Sequence, residues 1–159
     1  MIALIRIDEK LIHGQVVVGW GGVLNPTCYV VVDDTIASDE WERELVLSGV
    51  PDGVDGITVT VNEAATEWQA WSDDEAIRVV LAEGPGTLVH LCEASVKLTE
   101  VNVGGLRKRQ GRSEYLSYVW LDDDELADTR ALCERNVKLE VRDLPGTRST
   151  DLCPLLGDA

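Results

Sequence analysis

The segment Arg6-Ile7-Asp8-Glu9-Lys10-Leu11-Ile12-His13-Gly14-Gln15 places two cations, two carboxylates and an imidazole within ten residues. Imidazole is a nucleophile that can form a covalent intermediate. Gly14, directly after His13, permits close approach of the backbone. Arg6 and Lys10 add positive charge, and Asp8 can fix the imidazole tautomer. A helix starting here would add free backbone N–H groups and the positive end of its dipole, both favourable to an anion. Together these features suit a histidine that carries a phosphoryl group. The plainer alternative is a structural histidine capping a turn.

A second candidate is Arg107-Lys108-Arg109-Gln110-Gly111-Arg112, with four of the chain's 14 basic residues in six positions. It stands out against 29 acidic residues and a net charge of −15. It follows a Gly104-Gly105 strand end, on the His13 edge if that strand is parallel. A solvated loop is the bland reading. A partner-docking role for Lys108, Arg109 and Arg112, or a phosphate-directed one for Arg107, is the sharper reading.

Other residues carry weaker signals. His90 lies within a helix and is expected to pack there. Asp33 and Asp34 end a strand before a helix start, so a structural role outweighs metal or general-base work. Trp20, one helix after His13, is a candidate for the docking surface. Cys28, Cys92, Cys133 and Cys153 lie far apart, with no Cys-x-x-Cys, and with only two histidines no zinc site is expected. They read as reduced, semi-buried fillers in a cytosolic protein.

These residues need elements to hold them. A chain of 159 residues is one domain's worth, with 45% hydrophobic residues and no composition of disorder. So acidic a chain is a poor partner for nucleic acid or anionic membrane. No apolar run approaches a membrane span, and the start is too short for a signal peptide.

Strands are expected at 2–7, 28–32, 57–61, 76–82, 100–103, 115–121 and 137–141. Helices are expected at 14–24, from Ser38 to about 48, from Asn62 to 71, from Pro85 to 94 and from Asp122 to 135. The tail from about residue 146 is expected to be loosely packed, with one helical turn near Leu152. Strand–helix alternation with short connections implies an α/β three-layer sandwich, its sheet mainly parallel and helices on both faces. Ligands in such sheets sit beyond the carboxyl ends of the strands.

The segment Arg6–Val16 closely resembles the active loop of enzyme IIB of the mannose/fructose/sorbose class of the sugar phosphotransferase system. The resemblance continues in Val30–Asp34 with Ala37 and Asp39, in Val101–Leu106, and in Val137–Val141 followed by Pro145. It implies a sheet of about seven strands with one antiparallel strand. It also implies that His13 accepts phosphate on Nδ1 from a IIA protein and passes it to a sugar held by membrane components IIC and IID. Arg6, Asp8, Lys10, Gly14, Gln15 and Arg107 would stabilise or orient the phosphate. No cofactor or metal is implied. The resemblance places the protein in the cytoplasm, peripherally associated with the membrane through IIC and IID, and leaves a homo-oligomer open. The sequence departs from the family at Lys10, where Arg is usual, at Arg107, where His is frequent, and at Glu83-Gly84-Pro85-Gly86, which lacks a hydroxyl residue.

Two other functions compete with this one. A IIB-like regulatory relay would be phosphorylated at His13 without serving transport. A non-catalytic anion- or nucleotide-binding module is weakened by the absence of Gly-x-Gly-x-x-Gly or Walker sequences.

Overall fold

The apolar run at the N-terminus forms β1 (Ile2–Ile7), which pairs in parallel with β4 (Arg78–Ala82) on one side and β5 (Glu100–Val103) on the other. This computed structural model describes residues 1–157. β2 (Cys28–Val32) and β3 (Asp55–Val59) extend the sheet beyond β4, and β8 (Lys138–Val141) and β9 (Thr150–Asp151) extend it beyond β5. The order is β3-β2-β4-β1-β5-β8-β9. All pairings are parallel except β8–β9, so the expected mainly parallel seven-stranded sheet is present.

The β-branched runs are buried on both faces. Val30 and Val32 face one cluster, shared with α4 (Val61–Asp73), α5 (Pro85–Glu93) and α6 (Asp123–Glu134). Tyr29 and Val31 face a second cluster, with Val16, Ile36, Val46 and Leu47. These come from a π-helical turn (Gln15–Trp20) continuing into α1 (Gly21–Leu24), from α2 (Asp34–Ser38) and from α3 (Glu40–Leu47). Each fully buried Val or Leu contributes about 1.5–3 kcal/mol. Connections from β1 run one way across the sheet and those from β5 the other. The crevice between the carboxyl ends of β1 and β5 is thus the topological switch point.

Several helix starts differ from expectation. Ser38 ends α2, and Asp39 caps α3 by accepting from Glu42 N. Thr60, not Asn62, caps α4 in a reciprocal box with Glu63. Pro85 opens α5, and Asp122 caps α6, as read. Asn136 follows α6 with φ 61°, the left-handed turn that stops a helix.

Four further expectations are corrected. Residues 115–121 are not a sheet strand. They belong to a separate hairpin of β6 (Ser113–Leu116) and β7 (Val119–Leu121), because a turn between them folds the segment back. The tail is not loose: β9 pairs with β8, and Leu152 and Leu156 enter the core. Cys133 and Cys153 are not reduced fillers but form a disulfide that ties this tail to α6. His90 does not pack inward; it sits on the exposed side of α5, while Leu88 and Leu91 take the core. Among the described residues no helix is long and apolar enough to cross a membrane, and no group of three His, Cys, Asp or Glu is placed to hold a metal.

Candidate active site

Arg6 is an arginine in the middle strand of a sheet, and it is fully buried. A buried guanidinium must have its charge and donors matched. Its Nε and Nη2 donate to Asp8 Oδ2 at 3.2 and 3.0 Å. Its Nη1 donates to Asn102 Oδ1 in β5 and to the Arg142 carbonyl after β8. The Trp20 ring lies 5.6 Å from its Cζ. Three neighbouring strand ends are thereby fastened to one side chain.

Asp8, also buried, is the hub of the first loop. Its Oδ1 accepts from Lys10 N and its carbonyl from Leu11 N, both at 3.0 Å. The turn puts Leu11 at φ 56°, a left-handed conformation costly for leucine. Burial of the Leu11 side chain in the second cluster holds it there. The loop then returns His13 to Asp8, with Nε2 3.0 Å from Oδ2. Because a carboxylate only accepts, Nε2 carries the proton and Nδ1 keeps its lone pair. The His13 side chain is 19% exposed. Its carbonyl accepts from Val17 N, so it immediately precedes the helix, as the sequence suggested. The turn has no side-chain cap, and the space over Gly14 is open.

The remaining predicted residues are only partly gathered here. Lys10 is exposed on the loop. Gln15 turns to Asp143 Oδ2 at 3.3 Å. Arg107 is 63% exposed but donates from Nε to Glu9 Oε1 at 2.8 Å. Arg109 and Arg112 converge on the other Glu9 oxygen. Although burial pushes the Glu9 carboxyl up, hydrogen bonds from Arg107 and Arg112 and the charge of Arg109 hold it below its ordinary value. Arg112 is not a docking residue: its side chain is 5% exposed and also bonds Glu125. Lys108 lies over the Trp120 ring. Trp20 is likewise not on a docking surface, since it is buried and donates to the Asp143 carbonyl. Asp33 caps α2, and Asp34 accepts from Val61 N, the structural roles expected.

Sequence reading missed Asn102, Glu9 and Gly104. A Cβ on Gly104 would lie 2.7 Å from Asp8 Oδ2 and 2.5 Å from Arg6 Cζ, so this glycine makes room for the buried pair. The signals were polar residues inside apolar runs: Arg6 in β1 and Asn102 in β5. Beside the loop lies a cleft of ≈ 620 Å³ lined by Glu9, Lys10, Ile12, Asp33, Glu42 and Glu83, among others. Burial and the neighbouring Asp33 push the Glu83 carboxyl up.

A mainly parallel sheet with a carboxylate-held histidine at its switch point defines an α/β protein with one charged loop at the carboxyl ends of its central strands. The family model described as PTS system sorbose subfamily IIB component matches residues 2–159. The chain belongs to this family of sugar phosphotransferase-system IIB components, parts of a transferase system for sugar transport. It is 34% identical to the PTS system fructose-specific EIIB component of Bacillus subtilis (strain 168), over 98% of this chain and 95% of that one. It is 33% identical to the PTS system mannose-specific EIIAB component of Escherichia coli (strain K12), over 89% of this chain and 44% of that longer protein. A solved structure described as a phosphoenolpyruvate-dependent phosphotransferase system superposes with TM-score 0.89 and 34% identity, covering 98% of this chain and 96% of that one.

Proposed function

We infer that His13 is a phosphocarrier. It takes a phosphoryl group from a IIA-type donor and delivers it to a sugar bound by membrane IIC and IID components. The observation that carries this reading is the 3.0 Å contact of His13 Nε2 with Asp8, which leaves the Nδ1 lone pair available at the carboxyl end of the sheet. In the first step the Nδ1 lone pair forms a bond to phosphorus while the donor's bond to phosphorus breaks, and its electron pair returns to the donor. In the second step a sugar hydroxyl oxygen bonds to phosphorus, the Nδ1–phosphorus bond breaks, and the hydroxyl proton passes to a base. Positioning and charge do most of the catalysis in such transfers. Asp8 orients the ring and stabilises the positive charge that imidazole gains on phosphorylation. Lys10 supplies mobile charge over the phosphate. Arg107 and Arg109 frame the same edge.

The cysteines suit this chemistry less well. Burial pushes the Cys28 and Cys92 thiols up, and Cys133 and Cys153 are bonded to each other. The E. coli relative's EIIAB name supports a IIA-type donor as partner. Delivery to IIC and IID would place the chain at the cytoplasmic face of the membrane.

The test is phosphorylation by phosphoenolpyruvate, the general phosphotransfer proteins and a IIA donor, read by mass spectrometry on wild type and His13→Gln. An acid-labile, base-stable phosphate on His13 is expected, absent from the variant. Label on His90, a cysteine or a serine would overturn the assignment.

A further inference from the structure

Helix α3 has no fully buried residue. It turns Val46 and Leu47 toward the sheet and leaves Trp41 and Leu45 73% and 62% exposed. These two are four residues apart, so they are neighbours on one helix face. A single exposed apolar side chain needs no explanation, but a paired tryptophan and leucine make an interaction ridge. Two hollows flank the ridge. One is the cleft of ≈ 620 Å³ that Leu45 shares with Lys10 and Ile12. The other, ≈ 520 Å³, is lined by Trp41, Asp39, Glu40 and Glu44.

Acids outnumber bases around the ridge: Asp39, Glu40, Glu42 and Glu44 stand against Arg43 on α3 and Lys10 in the cleft. Among the described residues Glu40, Glu42 and Glu44 form no ion pair. The arginines of the 107–112 loop are instead engaged by Glu9 and Glu125. A ridge with an acidic rim fits an apolar pocket rimmed by Lys and Arg.

We propose that this ridge docks the chain onto the cytosolic loops of the membrane sugar-carrying components. The inference rests on the phosphocarrier reading. Cytoplasmic loops of membrane proteins carry an excess of Lys and Arg. The cytoplasmic leaflet is itself negative, so a chain of net charge −15 is repelled by lipid and needs a protein receptor there. The ridge is also well placed. Gly49, just beyond α3, approaches so closely that a Cβ on it would lie 2.9 Å from the Ile12 carbonyl, next to His13. A partner gripping α3 therefore faces the phosphorylated loop.

The test uses two double variants of the full chain: Trp41→Ala with Leu45→Ser, and Glu40→Lys with Glu44→Lys. Phosphorylation of His13 by the IIA donor is measured first, then co-sedimentation with anionic-lipid vesicles holding cognate IIC and IID, or holding no protein. Wild type should bind only the loaded vesicles. Each variant should lose about tenfold or more of that affinity while its phosphorylation by the donor stays at the wild-type rate.

Unchanged binding by both variants overturns the proposal. So does wild-type binding to empty vesicles, which would make the ridge a lipid contact. Slowed phosphorylation of the variants would assign the ridge to the donor. A wild-type dimer that the first variant dissolves would assign it to a second copy. If wild-type His13 accepts no phosphate, the phosphocarrier reading itself fails, and this inference falls with it.

Discussion

His13 and Arg6 never touch in the contacts described, yet both bond the same oxygen, Asp8 Oδ2, each at 3.0 Å. The buried cation thus fixes the carboxylate that fixes the imidazole. Asp8→Asn should uncouple them, because an amide can present its NH2 to Nε2 and move the ring proton to Nδ1. Phosphoryl transfer should fall about 10²-fold or more. Denaturant unfolding should report a loss of up to about 3–5 kcal/mol, since Arg6 stays buried without its counter-charge. Full activity in Asp8→Asn would remove the tautomer argument.

Gly104→Ala tests the same pair from outside the loop. The added methyl meets the Arg6 guanidinium and the Asp8 carboxylate, both buried and unable to swing away. A stability loss of about 1–3 kcal/mol with slower transfer is expected. Gly105→Ala is the control: a Cβ there has no neighbour within 4 Å, so both measurements should stay at wild type.

Glu9 and Glu83 should show opposite pH signatures. The folded-state pKa of Glu9 lies below its ordinary 4.5. The stability it contributes is therefore present above that value and lost as pH falls through the lowered one. Glu9→Gln should lower stability at neutral pH and flatten the acid limb of the unfolding curve. The folded-state pKa of Glu83 is raised. Its ionisation therefore erodes stability as pH climbs from 4.5 through the raised value. Glu83→Gln should stabilise the protein at neutral pH and leave it unchanged in acid. Thermal unfolding from pH 3 to 8 checks both signs.

Lys10→Ala should slow transfer with the fold intact, since the side chain is exposed and forms none of the described ion pairs. A shielded contact of this kind is worth about 2.7–4 kcal/mol, and its exposure sets the effect below that range. Lys10→Arg should retain activity or raise it. Single-turnover transfer at saturating donor is the measurement, and an unchanged rate in Lys10→Ala would take Lys10 out of the mechanism.

Thiol titration of the unfolded, unreduced chain should find two reactive cysteines, Cys28 and Cys92. Cys153→Ser should cost about 3 kcal/mol, the entropy of a loop of 20 residues. Four titratable thiols would return Cys133 and Cys153 to the reduced state.

Much of the frame was readable because its signals are local. The Val-rich runs, the acidic first turn of α6, Pro85 and Asn136 each act within a few residues. The pairing of Asp8 with His13 was readable from their spacing. What escaped is non-local. Glu9 lies 98 residues from Arg107, and no composition rule pairs them. The role of Asn102 exists only once β5 lies beside β1. The Cys133–Cys153 bond required the tail to fold back on α6, and that return depends on β9, two residues too short to carry any periodic pattern. Residues 115–121 read as one strand because Tyr118 carries the apolar run through the turn between β6 and β7.

Strand β9 has a consequence for behaviour in a crowded solution. An unpaired outer strand is a template onto which another chain can add, and growth from such a rim makes fibres. Here Thr150 and Asp151 occupy the rim of β8, and the sulfur bridge keeps them in place. At the far rim, β3 begins with Asp55-Gly56, an acid and a poor strand former. One rim is thus two residues long and the other opens on an acid, both of which discourage growth. Such rims favour brief encounters made through side chains over lasting ones made through backbone.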